Sequence, residues 1–101
     1  MARCAVQRNV DGQPPVKVFV LEKLSDYGTG VERTRCRTFL DETRARAAMR
    51  DDYDSEIDAA DKAPDPEASL VTARGAVLRF PGGVRFDWMI HERVTEDNDY
   101  R

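Results

Sequence analysis

Four aspartates, Asp51, Asp54, Asp58 and Asp61, follow one another at steps of three, four and three residues. In a helix that spacing sets all four carboxylates on one side. Such a stripe can hold a cation, meet a basic partner or stand as a plain solvated face. Helix formation itself gives no reason for it. Aspartate is a weak helix former, and like charges at these spacings repel by about 0.2–0.5 kcal/mol per pair. Arg50 with Asp54 and Asp58 with Lys62, both at i,i+4, are placed to offset part of that repulsion. Read as a calcium loop from Asp52, the run puts acids at loop positions 1, 3, 5 and 7. Ile57 then stands where the loop needs glycine, and Ala63 where it needs a bidentate glutamate. Helical register also turns Asp52 away from the stripe, so no metal site is expected.

A second constellation is basic. Arg33, Arg35 and Arg37 alternate with Thr34, Cys36 and Thr38. On a strand the three guanidiniums share one face at about 7 Å spacing, roughly that of phosphates along a nucleic-acid strand. Base stacking would need aromatics nearby, and Tyr27 is the one candidate. The competing reading pairs these arginines with Glu22, Glu32 or acids on a neighbouring strand.

The remaining reactive types are sparse. His91 is the single histidine, and no serine or cysteine nucleophile stands in a recognisable motif with it. Cys4 and Cys36 form no CxxC pair, and with His91 they supply at most three zinc ligands at unhelpful spacing. They read as buried or indifferent thiols, a disulfide being the minority reading. Trp88 is expected in the core. Gly82-Gly83 is turn chemistry, without the lysine and helix of a phosphate loop. An enzyme is not expected, and no cofactor is implied.

Charge is segregated along the chain. Residues 41–67 carry ten acidic and four basic side chains, while residues 68–86 carry three basic and none acidic. That polarity bears on partners rather than on fold. With 101 residues, 41% hydrophobic and 35% charged, the chain suits one globular domain. No apolar run approaches the roughly 20 residues that span a bilayer, and no signal-peptide pattern opens the sequence. No membrane partner is expected, and a cytosolic location is the default.

The elements that must position these residues follow from periodicity. Residues 16–24 form the clearest strand, with Val16, Val18 and Val20 on one face and Phe19 and Leu21 on the other beside Lys17 and Lys23. A glycine loop leads to a second strand over 31–39. A helix is predicted over 41–62, starting near Thr38 to Asp41 and facing inward with Ala45, Met49, Tyr53, Ile57 and Ala60. Residues 69–80 give a third strand, interrupted or bulged at Gly75. A tight turn at 80–84 leads to a fourth strand over 84–94, with Phe86, Trp88 and Ile90 on one face. Residues 1–14 and 95–101 read as tails, although the first could add an edge strand. The prediction is one α+β domain over 1–101, strand-strand-helix-strand-strand. Its sheet is antiparallel with four strands, or five, and one long helix lies on one face. The other face would be a wet basic surface built on Arg33, Arg35 and Arg37, or a homodimer interface.

Three segments together carry a resemblance: the valine-rich first strand, the helix start Phe39-Leu40-Asp41-Glu42-Thr43-Arg44-Ala45, and the closing strand Trp88-Met89-Ile90-His91-Glu92. Over residues 16–92 the chain resembles small uncharacterised α+β proteins of bacteria and their phages or mobile elements. The resemblance implies a fold and a mobile-element origin, and no catalytic residue. The leading expectation is a non-enzymatic interaction protein whose acidic helix meets a basic, nucleic-acid-binding surface of a partner protein, as a phage inhibitor of anti-CRISPR type would. A nucleic-acid-binding module using Arg33, Arg35, Arg37 and Tyr27 is the alternative, and a structural homodimer the third.

Overall fold

The computed structural model describes residues 16–94. The expected tails at 1–14 and 95–101, and any edge strand in the first, lie outside the described residues. In chain order the elements are β1 (Lys17–Tyr27), β2 (Arg33–Phe39), α1 (Glu42–Ala59), β3 (Leu70–Val71), β4 (Gly75–Arg79) and β5 (Val84–Val94). The strands form one antiparallel sheet in the order β2-β1-β5-β4-β3, with α1 packed on one face. The α+β class and the element order are as the sequence predicts.

The fifth strand comes from an unexpected place. The 69–80 stretch does not merely bulge before Gly75 but reverses there. Thr72 closes the turn, donating from its N to the Gly75 carbonyl at 2.7 Å and from its hydroxyl to the same oxygen at 3.0 Å. Leu70 and Val71 then pair with Val77 and Ala76. Strand β5 supplies the frame, pairing with β1 from Lys17↔Val94 to Tyr27↔Val84 and with β4 on its other side. The predicted turn before β5 is formed: Phe80 N donates to the Val84 carbonyl at 2.9 Å, and Gly82 and Gly83 have φ of 90° and 86°.

The core lies between α1 and one sheet face. Phe19, Leu21, Ala76, Leu78, Phe86, Trp88 and Ile90 meet Ala45 and Met49, with Tyr53, Ile57 and Ala60 packed around them. These five positions are the predicted inward face, four of them in α1 and Ala60 at its C-cap.

The helix is shorter than predicted. Asp41 is the N-cap, its carboxylate accepting from Thr43 N at 2.7 Å, while Thr38 still belongs to β2. At the other end α1 stops at Ala59, and its last turn contains no basic residue. The negative end of the helix dipole disfavours the acids gathered there. Asp61 and Lys62 therefore lie past the helix, and the stripe on α1 has three members, Asp51, Asp54 and Asp58.

The face assigned to the arginines is also corrected. Directly opposed residues of an antiparallel pair share a face. Arg37 opposes Leu21, Arg35 opposes Lys23 and Arg33 opposes Ser25, so all three point to the α1 side of the sheet. The face away from α1 carries Val18, Val20, Glu22 and Leu24 of β1 and Met89 and His91 of β5. Glu22 lies on that face too, out of reach of the arginines it was expected to pair with. His91 Nε2 is instead 3.3 Å from the Glu22 carboxylate.

Cys36, on the face of β2 away from α1, is disulfide-bonded rather than an indifferent thiol. The one other cysteine of the chain, Cys4, lies outside the described residues. Such a bond persists in oxidising compartments and is opened in a reducing cytosol. Among the described residues no helix is long and apolar enough to cross a membrane.

Candidate functional site

The acids of α1 divide into two sets by direction. Asp52 and Glu56, four residues apart, lie on the inward flank and meet Lys23 of β1. Lys23 Nζ is 2.9 Å from Asp52 Oδ2 and also donates to Glu56 Oε2. Trp88 Nε1 donates to the same Asp52 oxygen at 2.9 Å. The ammonium lies 5.3 Å from the Phe86 ring centre and 5.5 Å from that of Trp88. Lys23 is only 7% exposed, so an ammonium buried beside aromatic rings has two carboxylates as counter-ions.

Burial works against the charge of Lys23, but hydrogen bonds to Glu56 and Asp52 and the attraction of both carboxylates outweigh it and raise its pKa. Burial likewise works against the Asp52 carboxylate. Hydrogen bonds from Lys23 and Trp88, with the nearby charges of Lys23 and Arg35, outweigh it and hold Asp52 below the usual aspartate value. Lys23 and Asp52 are therefore both charged near neutral pH. The cluster closes the helix onto the sheet.

The second set faces solvent. Asp51, Asp54 and Asp58 are exposed and form no ion pair among the described residues. Neither expected compensating pair closes. The i,i+4 ion pair of α1 is Glu42 with Arg46, at the opposite end. Glu42 also receives Arg74, at 3.0 Å, and Arg74 reaches Glu92 at 3.1 Å, tying the start of the helix to β5. The hydrogen bond from Arg74, with the charges of Arg46 and Arg74, lowers the Glu42 pKa. The helix thus has paired acids at its start and on its inward flank, and on its outer face acids without an ion pair among the described residues.

Arg33, Arg35 and Arg37 are exposed along β2, at the edge of the sheet. Arg37 lies over the Phe39 ring at 5.0 Å. With Phe39 and Arg44 it lines a groove of about 450 Å³ whose other wall contains Asp51, Asp52 and Ser55. Tyr27 shares the arginine face, 59% exposed and edge-on to Phe86 at 5.6 Å. The structure thus brings the basic strip beside the acidic helix, and it places Asp61 past the end of α1.

Asp61 instead lines a pocket of about 440 Å³ at the end of α1, with Glu56, Tyr27, Phe80 and Phe86. This pocket and the Lys23 cluster had one sequence signal, the i,i+4 pair Asp52 and Glu56 on the flank of the apolar stripe. Lys23, on the face of β1 that it shares with Phe19 and Leu21, is its counterpart.

Fold and site define a small α+β domain with a buried ionic latch and a polarised charged surface. No family model, no curated protein and no solved structure matches the chain.

Proposed function

We propose that this protein is a non-enzymatic interaction module that uses the outer face of α1, at Asp51, Asp54 and Asp58, to engage a basic surface of a partner protein. The observation that supports it is the distribution of compensation. Inward acids are neutralised by Lys23 and the first-turn acid by two arginines, while the outward acids make no ion pair among the described residues. Asp58 also lies in the last turn, where the helix dipole is negative, so there the two fields add. That arrangement costs the free protein stability and favours a cationic partner. A basic nucleic-acid-binding surface, of the kind a phage-type or anti-CRISPR-like inhibitor would block, has the matching chemistry.

Affinity capture from host lysate tests the reading, using the whole protein and an Asp51/Asp54/Asp58→Asn variant as parallel baits. A basic protein retained by the first and lost from the second supports it. The same proteins retained equally by both would reject it.

A second reading has an observation of its own. Arg33, Arg35 and Arg37 are exposed on one face with Tyr27 beside them, which suits a nucleic-acid backbone. Asp51 and Asp52 face the same groove and oppose a polyanion there. Gel retardation at low salt separates the two readings, since the protein-partner reading expects no shift of single- or double-stranded DNA at high micromolar protein.

A further inference from the structure

The pocket beyond the end of α1 combines features that the acidic face alone does not have. Its walls come from separate elements: Tyr27 from the end of β1, Phe80 and Phe86 from either side of the β4–β5 turn, and Glu56 and Asp61 from the end of the helix and just past it. The three rings form a connected set, with Tyr27 and Phe80 each edge-on to Phe86 at 5.6 and 6.3 Å. At about 440 Å³ it falls at the small end of the range for ligand pockets, and it is open to solvent. The last carbonyls of α1 point towards this end and bring the negative pole of the helix. One Glu56 oxygen is engaged by Lys23. Lys62, on the rim, is the single cation among the lining residues.

We propose that this pocket receives an arginine side chain of the basic partner. The inference rests on the reading of the protein as an acidic interaction module and adds the anchor of that interface. An arginine fits on three counts. Its planar guanidinium stacks on aromatic rings, its fork reaches carboxylates with paired donors, and its three-carbon stem packs on apolar walls. A lysine offers the charge without the stacking plane. Tyr27, half exposed while still packed on Phe86, stands where an arriving guanidinium would cover it. Arginine anchors in desolvated pockets are also where protein interfaces concentrate binding energy.

The test is a titration of the full isotope-labelled chain with N-acetyl-arginine amide, followed by amide chemical shifts. The norleucine and lysine analogues serve as controls. The expected result is saturable binding in the millimolar range, with shifts confined to Tyr27, Gly28, Ala60, Gly82, Gly83 and Val84. Tyr27→Ala and Asp61→Asn should each weaken it about three- to tenfold. Lys62→Gln, which removes the competing cation, should tighten it. Shifts spread along the outer face of α1 would overturn the pocket while leaving the acidic-face reading standing. So would a norleucine or lysine analogue that binds as well as arginine, or an affinity indifferent to Tyr27→Ala and Asp61→Asn.

Discussion

Lys23 Nζ and Asp52 Oδ2 are 2.9 Å apart, joining β1 to the inward flank of α1. The same oxygen accepts from Trp88 Nε1, so one carboxylate links the helix to two neighbouring strands. With Lys23 nearly buried and Asp52 about one-third exposed, removing the cation leaves two carboxylates near the core without their direct ion-pair partner. Lys23→Met should destabilise the domain by about 1–3 kcal/mol, less than for a fully buried pair because both acids keep some contact with water. Urea denaturation reads this directly. An unchanged midpoint would show that the latch is dispensable.

The latch also fixes a pH dependence. Asp52 has a lowered pKa in the folded protein. Its stabilisation is complete above the ordinary aspartate value, about 3.9, and is lost as pH falls through the lowered one. Lys23 has a raised pKa. Its stabilisation is complete below the ordinary lysine value, about 10.4, and is lost as pH rises through the raised one. Thermal midpoints should therefore form a plateau between these limits. Lys23→Met should flatten the alkaline limb, and Asp52→Asn should reduce the acid limb.

The two sets of helix acids should respond to neutralisation with opposite signs. Asp52→Asn loses a charged partner of Lys23 and should cost about 1–2 kcal/mol, with an amide oxygen still available to Trp88. Asp54→Asn and Asp58→Asn relieve like-charge repulsion, and Asp58→Asn also relieves an unfavourable contact with the helix dipole. Each should be neutral or stabilising by a few tenths of a kcal/mol. Parallel denaturation of the three variants checks the contrast, and destabilisation by Asp54→Asn or Asp58→Asn would give the outer acids a structural role.

Two glycines of the β1–β2 loop should differ. Both have positive φ, 95° at Gly28 and 82° at Gly30, and both amides donate to the Asp26 carboxylate. A Cβ at Gly30 meets nothing within 4 Å, whereas at Gly28 it would lie 2.9 Å from the Gly82 carbonyl oxygen. Gly30→Ala should cost about 1 kcal/mol of backbone strain. Gly28→Ala should cost more, since two loops must also move apart. Equal losses of thermal stability would place the whole effect in the backbone.

The sequence made the helix face and the β5 face legible because their periods are clean. Ala45, Met49 and Tyr53 recur every fourth residue, and Phe86, Trp88 and Ile90 every second. It did not reveal that residues 70–79 fold back, because the reversal at Thr72–Gly75 depends on pairing with β5 rather than on strong local turn residues. The side of the sheet facing α1 was equally hidden. Strand β1 is apolar on both faces, so alternation could not choose between Val18 and Phe19 as helix partners, and the arginines were assigned to the wrong face. The acidic stripe was legible as a spacing. The distinction between its members and the structural acids Asp52 and Glu56 required knowing where Lys23 points.

The most direct measurement is the affinity for a captured basic partner as a function of salt, for the wild-type protein and for Asp51/Asp54/Asp58→Asn. The account predicts that the wild type weakens steeply as salt rises, and that the variant binds at least about tenfold more weakly at low salt with a flatter dependence. Equal affinities and equal salt slopes would contradict it.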